Sequence, residues 1–308
     1  MLKRYDGNPI LEPILSNTWE SRMVFNCAAI NEGGKTHIIY RARGVDGHVS
    51  RFGYAGTKDG FHIDERLSDP IFVGDPTNDF ECFGCEDPRI TRIGDRIYMC
   101  YTAFGMVPGI TRQEKSIQIG MTSISVDDFL NHRWNWEKRW FPFPRVDDKN
   151  ACLFPEKING KWVMYHRIYP YIWVSYSDDL KNWGGSKIVM SPQEDWEYFK
   201  LGSGAPPIKT SKGWLFVYHA VSREFRYQLG LALIDLENPE KIIWRSKEPL
   251  LKPEAPYERK GAVPNVVFTC GAVLQNDTLF VYYGGADTVI CVATAELSDL
   301  FDYMKSRK

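Results

Sequence analysis

The stretch LFVYHA, residues 215–220, is an apolar strand that ends close to a tyrosine, and similar stretches recur along the whole chain. The other copies read HIIYRA at 37–42, YMCYTA at 98–103, WVMYHR at 162–167 and LFVYYG at 279–284. Successive tyrosines of the five copies are 61, 64, 53 and 64 residues apart. That spacing suits a four-stranded antiparallel sheet and is too long for the helical pairs of a solenoid.

Turns and further strands surround each copy. A short turn rich in Gly, Asn or Asp precedes the tyrosine strand, as in EGGK at 32–35 and INGK at 158–161, and an apolar segment precedes the turn. A third strand follows the tyrosine. The repeat therefore predicts an all-β fold, a five-bladed β-propeller that forms a single domain over residues 1–308. A short C-terminal helix is predicted from ELSDLFDYMKSRK at 296–308.

The composition limits which binding partners and which cellular compartment are expected for the protein. The chain has 38 Lys and Arg against 39 Asp and Glu, without a charged block, so neither nucleic acid nor an anionic membrane is an expected partner. The N-terminal stretch MLKRYDGNPI lacks the apolar segment of a signal peptide. Five of the seven cysteines lie in apolar or small-residue runs, which predicts reduced thiols and a cytoplasmic protein. A homo-oligomer is allowed but not indicated.

Polar residues recur at matching points of the repeat. In a propeller the first strand of each blade lines a central channel, so residues of a site should occupy equivalent positions. The first strands carry Asn26, Asp87, Asn150 and Ser203, and the tyrosine strands are followed by Arg41, His166, Arg167, His219 and, slightly later, Asp287. Any one of these is explained equally well as a turn residue that bonds its own backbone. Their recurrence favours a shared pocket.

The heptad GCEDPRI, residues 84–90, takes the first-strand position of the second blade. Pro88 removes a backbone donor and excludes a helix at Asp87. If the strand alternates, Asp87 points into the channel, while Glu86 forms a structural ion pair with Arg89 or Arg92 that ties neighbouring blades together.

With these residues in place, the sequence resembles glycoside hydrolase family 130, the inverting β-mannoside phosphorylases built on a five-bladed propeller. The resemblance covers nearly the whole chain. It is carried by segments that are weak singly but specific in order and spacing: NPIL (8–11), FNCAA (25–29), YRARG (40–44), EDPRI (86–90), KNACLFPEKINGKWVMYHR (149–167), GSGAPPIKTSKGWL (202–215), YHAV (218–221), YQLGLALID (227–235) and YYGGAD (282–287).

The resemblance implies a role for each site residue. Asp87, in the EDPR segment, would be the single catalytic acid. The mannosyl unit would be held by Asn26, Arg41 and Asp287. Inorganic phosphate, the co-substrate, would be held by Asn150, Arg167, Lys209, His219 and Tyr227. No metal or organic cofactor is expected: Cys82 and Cys85 form a CxxC, but no second CxxC or histidine pair lies at zinc spacing.

The chemistry of these residue types agrees with phosphorolysis. Phosphate near neutral pH is largely a dianion, and arginine offers a planar fork that matches two of its oxygens. An inverting hydrolase needs a second carboxylate to activate water, whereas phosphate arrives as a charged nucleophile, so one acid suffices. The expected products are α-mannose 1-phosphate and a shortened sugar. To act as an acid Asp87 needs a raised pKa, which burial would provide and a nearby Arg41 would oppose.

Other functions stay open at this point. A β-mannoside hydrolase of the same family would lack the phosphate-binding set, and an arabinanase-like propeller would need three carboxylates on three blades. A non-catalytic propeller that binds carbohydrate is the alternative outside enzymes. The linkage also stays open, with β-1,4-mannooligosaccharides or a related disaccharide expected first and β-1,2-mannosides as the alternative.

Overall fold

The computed structural model describes residues 2–47, 49–106 and 114–307. Its strands form five antiparallel sheets, which are the five blades of a β-propeller and confirm the predicted fold. The first strands of blades 5, 1, 2, 3 and 4 contact one another in that order, and other strands of blade 4 contact the first strand of blade 5, which closes the ring around the central channel. Each blade therefore presents one end of its first strand to the same mouth of the channel.

The strands follow the chain blade by blade. Strand β1 (Lys3–Arg4) is the outer strand of the last blade. Blade 1 contains β2 (Met23–Glu32), β3 (Lys35–Arg43), β4 (Arg51–Thr57), β5 (Glu65–Arg66) and β6 (Phe72–Val73). Blade 2 contains β7 (Cys85–Ile93), β8 (Arg96–Met106) and β9 (Lys115–Ser125). Blade 3 contains β10 (Lys149–Leu153), β11 (Trp162–Ile168), β12 (Tyr171–Ser177) and β13 (Trp183–Met190). Blade 4 contains β14 (Lys200–Ser203), β15 (Ile208–Thr210), β16 (Gly213–Val221), β17 (Tyr227–Ile234) and β18 (Ile242–Arg245). Blade 5 contains β19 (Val267–Gln275), β20 (Thr278–Gly285) and β21 (Val289–Glu296).

Short helices complete the described chain. They are α1 (Val126–Leu130), a 3-10 helix (Asp195–Glu197), α2 (Pro256–Arg259) and α3 (Leu297–Ser306). Helix α3 confirms the predicted C-terminal helix, and it buries Leu300, Phe301 and Met304 against blade 5. Among the described residues, no helix is both long enough and apolar enough to cross a membrane. All seven cysteines are free, and the five in apolar runs are buried.

The repeated tyrosines all lie in the second strand of their blades. They are buried, and three of them donate a hydrogen bond to a buried glutamate that also pairs with an arginine. In blade 4, the Tyr218 hydroxyl donates to Glu197 Oε1 at 2.8 Å, and Arg245 Nη2 donates to Glu197 Oε2 at 2.6 Å. Blade 5 repeats the pattern one residue after its tyrosine, with Tyr283, Glu258 and Arg4. Because Arg4 lies in β1, this cluster fastens the first strand of the chain to its last blade.

The buried glutamates should matter for stability. Replacing Glu197 by Ala leaves the Arg245 charge and the Tyr218 hydroxyl without their partner, and breaking a buried pair typically costs about 3–5 kcal/mol. We expect chemical denaturation to show a loss of about 3 kcal/mol in the free energy of unfolding. Lys241→Ala removes an ion pair whose lysine side chain is 63% exposed, and it should change that free energy by less than about 1 kcal/mol. Equal effects would contradict this interpretation.

The first strands of blades 1, 2 and 3 are bulged at the same point. Their pairing slips between Phe25 and Ala28, between Glu86 and Arg89, and between Lys149 and Cys152. The residue inside each bulge has a left-handed backbone, with φ of 46° at Asn26, 52° at Asp87 and 56° at Asn150. Asn and Asp tolerate this conformation better than other non-glycine residues. The bulges turn these three side chains toward the channel.

Candidate active site

A cavity of about 170 Å³ opens at the channel mouth where the bulges lie. It is lined from all five blades, and seven of the nine predicted site residues lie in its wall: Asn26, Arg41, Asp87, Asn150, Arg167, Tyr227 and Asp287. His219 and Lys209 do not line it. The polar walls fall into an acidic half on blades 1, 2 and 5 and a cationic half on blades 3 and 4.

The acidic half is organised around Asp87. Asn26 Nδ2 donates to Asp87 Oδ1 at 2.9 Å, and Arg41 Nη1 donates to the same oxygen at 3.1 Å. Burial alone would raise the pKa of Asp87, but the charges of Arg41 and Lys149 outweigh it and hold the pKa below its ordinary value. The expectation of a raised pKa is therefore wrong. Asp87 is an ion-paired carboxylate in this pocket.

Glu86 takes a different partner from the one predicted. Its carboxylate pairs with Arg41 of blade 1, so it does tie two blades together, and it also lines the cavity. Arg89 instead crosses the channel, donating from Nε to the Gly204 carbonyl at 2.8 Å and from Nη2 to the Ser203 carbonyl at 2.8 Å. Arg92 pairs with Glu32. Side chains do not alternate regularly along this strand, because the bulge at Pro88 separates Glu86 from Arg89.

Asp287 is the second aspartate of the acidic half, and it is half-buried. Burial raises its pKa to about 6, with Arg41 opposing and the charges of Asp87 and Glu86 adding to the rise. It follows Ala286 in a two-residue left-handed turn between β20 and β21, with φ of 46° and 51°. The acidic half thus contains three carboxyls, those of Glu86, Asp87 and Asp287, around the Arg41 guanidinium. Of the two aspartates, Asp87 has the lower pKa and is the more readily ionised.

The cationic half holds charges that lack acidic partners. Among the described residues, none of Lys149, Arg167 and Lys200 forms an ion pair. In the same described part of the chain, buried polar atoms without a hydrogen-bond partner lie beside them: both side-chain atoms of Asn150, Nε of Arg167 and both ring nitrogens of His219. Unpaired buried charge is costly unless a counter-ion is bound. This half of the pocket has the chemistry of an anion site.

His219 lies just behind the cavity wall. It is fully buried and packs on Phe268, with ring centroids 4.2 Å apart. Burial, with Arg89 and Arg167 adding to it, holds the pKa of His219 well below its ordinary value. His219 is therefore a neutral hydrogen-bonding group and would bring no positive charge to the phosphate site predicted for it.

Gly202 allows His219 and Asn150 to meet. A Cβ atom at Gly202 would lie 2.2 Å from His219 Nε2 and 2.7 Å from Asn150 Oδ1, too close for either to stay in place. We expect Gly202→Ala to raise the phosphate KM about 10-fold while the mannoside KM changes little, because only the cationic half is disturbed. Initial rates at varied phosphate would measure this. A shift in the mannoside KM alone would contradict it.

Lys209 does not reach the pocket. The first strand of blade 4 is interrupted between β14 and β15, and Ile208 lines a cavity at the opposite mouth of the channel. The Lys209 ammonium pairs with Glu156, and its side chain is 51% exposed. The phosphate-binding role predicted for Lys209 therefore disagrees with its position.

Two other lysines lie nearer to the cationic half than Lys209 does. Lys149, which precedes Asn150, lines the cavity. Lys200, which begins β14, does not line it, but its Nζ lies 5.2 Å from the centre of the ring of Tyr227, which does. Burial and the neighbouring Arg167 lower the pKa of Lys200 to about 8, and the same causes lower the pKa of Lys149. Their signal in the sequence was position: each is the first residue of the first strand of its blade.

The sequence profile of glycoside hydrolase family 130, described as beta-1,4-mannooligosaccharide phosphorylase, matches residues 2–306. The chain belongs to glycoside hydrolase family 130. It is 45% identical over 307 residues to a 1,2-beta-oligomannan phosphorylase of Thermoanaerobacter sp., covering 97% of this chain and 98% of the relative. It is 34% identical to a beta-1,4-mannooligosaccharide phosphorylase of Ruminococcus albus, covering 98% and 90%.

A solved structure agrees with the family assignment. The beta-1,2-mannobiose phosphorylase of Listeria innocua, in complex with beta-1,2-mannobiose, superposes with a TM-score of 0.82 at 27% identity, covering 99% of both chains. The family 130 assignment confirms the predicted enzyme class: the protein is a mannoside phosphorylase. The roles of individual pocket residues stay predictions.

Proposed function

We propose that this family 130 protein cleaves β-linked oligomannosides with inorganic phosphate and inversion, giving α-mannose 1-phosphate and a shortened sugar. The observation that carries the proposal is the group of buried and half-buried cations and unpartnered polar atoms on blades 3 and 4, among the residues that the structure describes. A phosphate dianion would supply the missing counter-charge and accept hydrogen bonds from Arg167 and Tyr227. Phosphate would be the sole co-substrate.

The division of the pocket supports separate sites for the two reactants. The mannosyl unit would bind in the acidic half, beside Asn26, Arg41 and Asp287, and phosphate would attack its anomeric carbon from the cationic half. The carboxyls that line the cavity, Glu86, Asp87 and Asp287, all belong to the acidic half. An inverting hydrolase would need a carboxylate base on the side of the nucleophile. Its position is taken by cations, which favours phosphate over water.

Asp87 would donate the proton to the departing oxygen. Asn26 and Arg41 both bond to Oδ1, which leaves Oδ2 to carry the proton. Bound phosphate brings negative charge into the same closed pocket, and a nearby like charge raises the pKa of a carboxyl. We infer that Asp87 becomes a competent acid only when phosphate and mannoside are both bound.

We propose a β-1,2 linkage for the preferred substrate, which reverses the order expected from the sequence. The relative that shares 45% identity is named for 1,2-β-oligomannan, and the solved Listeria structure contains β-1,2-mannobiose. The second candidate is a β-1,4 linkage, which the family description and the 34% identical Ruminococcus relative favour.

The linkage can be tested in the synthetic direction. The protein is incubated with α-mannose 1-phosphate and, separately, mannose, β-1,2-mannobiose, β-1,4-mannobiose, glucose and N-acetylglucosamine, and the products are analysed by NMR. The proposal expects new β-1,2 bonds on mannose-based acceptors. Products joined by β-1,4 bonds would overturn the linkage while leaving phosphorolysis intact.

Phosphate affinity should weaken at alkaline pH. Because the pKa of Lys200 is lowered to about 8, its ammonium is charged below that pH and loses its proton as the pH rises through it. We expect the phosphate KM to rise between pH 7.5 and 9.5, about 10-fold per lost charge-assisted bond. A Lys200→Met variant should have a higher KM that is flat over this range. The same alkaline rise in the variant would exclude Lys200 as its cause.

A further inference from the structure

A chain of polar side chains crosses one face of blade 3, from the buried Asp148 to the exposed Ser186, and the proposed reaction does not use it directly. The side chains of Asp148 and His166 are both 0% exposed, and His166 Nδ1 lies 2.5 Å from Asp148 Oδ2. On the other side of the ring, Nε2 lies 2.8 Å from Ser175 Oγ, which is 2.7 Å from Ser186 Oγ. Phe143 stacks on the imidazole, with centroids 4.8 Å apart. The ring is thus fixed on both edges and one face.

The order Asp, His, Ser also occurs in hydrolase triads, but this chain is not built for nucleophilic attack. Ser175 is fully buried, and its hydroxyl is shared between His166 and Ser186. No substrate carbonyl could reach it. A role in holding the surrounding backbone fits the burial better.

The pair adjoins three groups of the cationic half. Asp148 directly precedes Lys149 and Asn150, and His166 directly precedes Arg167. Lys149 and Arg167 lie opposite each other as backbone partners in the antiparallel pairing of β10 with β11. The Asp148 backbone N–H also donates to the Ile117 carbonyl of blade 2 at 3.1 Å. The Asp148–His166 contact therefore joins the two strands at the point where their side chains enter the pocket.

The local backbone needs such a fixed point. Asn150 lies in a bulge with φ of 56°, a conformation that costs roughly 1 kcal/mol and persists where the surroundings hold it. Asp148 lies two residues before it. The anchoring of Asp148 by His166 defines where the bulge begins.

The equivalent residue of blade 4 shows the contrast. His166 and His219 each directly follow the repeated tyrosine of their blade. Both ring nitrogens of His219 lack partners, whereas both ring nitrogens of His166 are engaged. The same position thus has ring nitrogens left available for a ligand in blade 4 and ring nitrogens used within the blade in blade 3.

We propose that Asp148 and His166 are positioning residues for phosphate: their contact sets the placement of Lys149, Asn150 and Arg167. This inference rests on the proposed function. It implies that weakening the contact raises the phosphate KM selectively, while the mannosyl half, on other blades, keeps its affinity.

The test compares three substitutions of the pair with a matched buried histidine. His166→Asn keeps a donor toward Asp148, His166→Phe keeps only the ring volume, and Asp148→Asn keeps the shape without the charge. His37→Gln is the control, because His37 is 3% exposed, contacts Tyr54 at 2.7 Å, and does not line the pocket. We expect His166→Phe and Asp148→Asn to raise the phosphate KM about 10-fold or more with the mannoside KM within about 2-fold, and His166→Asn to restore part of the affinity.

A purely structural role would give a different result. If the pair only stabilises the blade, its variants would lower the thermal midpoint as His37→Gln does and leave the phosphate KM within about 2-fold of the parent, which overturns the inference. If the parent shows no phosphate-dependent cleavage, the proposed function fails instead. In that case the test is the shift of the thermal midpoint on addition of inorganic phosphate. A shift in the parent that is lost in His166→Phe supports the positioning role. A shift in both proteins, or in neither, overturns the inference.

Discussion

Asp87→Asn is expected to lower kcat for phosphorolysis by roughly 10³-fold, because it removes the general acid and leaves the departing oxygen unprotonated. Asn is the substitution of choice since it tolerates the left-handed backbone at this position, where φ is 52°. The amide can still accept from Asn26 and Arg41 through its oxygen. The phosphate KM and the thermal midpoint should therefore stay close to those of the parent.

A matched aspartate controls for the substitution itself. Asp277 also has a left-handed backbone, with φ of 62°, but lies exposed in the turn between β19 and β20. Asp277→Asn should leave kcat unchanged. If Asp87→Asn kept turnover within about 10-fold of the parent, less than general acid catalysis typically contributes, another group would have to be the acid.

Lys200→Met is expected to raise the phosphate KM by roughly 10- to 150-fold, the equivalent of one charge-assisted hydrogen bond of about 1.5–3 kcal/mol. Lys200 contributes charge beside Arg167 and His219, and it forms no ion pair that would keep it occupied elsewhere among the described residues. The mannoside KM should change little.

Lys209→Met is the matched control on the same blade. Lys200 begins β14 and Lys209 lies in β15, beyond the break at residues 204–207, so the two lysines lie at opposite ends of the blade's first strand. Loss of the exposed Lys209–Glu156 pair should leave both Michaelis constants within about 2-fold. A large effect from Lys209→Met with none from Lys200→Met would restore the assignment made from the sequence.

The fold was predictable because the repeat is physical. Each blade needs a buried second strand and a tight turn before it, so Tyr40 and its four equivalents recur at nearly even spacing. The positions of Asn26, Asp87 and Asn150 were predictable for the same reason. The first-strand bulge that exposes them favours Asn and Asp, which a sequence pattern can show.

The remaining features depend on contacts between distant blades. Arg89 bonds to carbonyls of blade 4, and Glu86 pairs with blade 1, neither of which can be inferred from neighbours in the chain. Which of Lys200 and Lys209 lies near the pocket depends on the break in the first strand of blade 4. The pKa of Asp87 depends on the distances to Arg41 and Lys149, which pattern alone does not contain.

The most direct test of phosphorolysis follows a β-mannooligosaccharide with and without inorganic phosphate by ³¹P and ¹H NMR. Cleavage is expected only when phosphate is present, with α-mannose 1-phosphate formed in step with the loss of phosphate. The α configuration of the first-formed product would show inversion. Release of free mannose at the same rate without phosphate would contradict it.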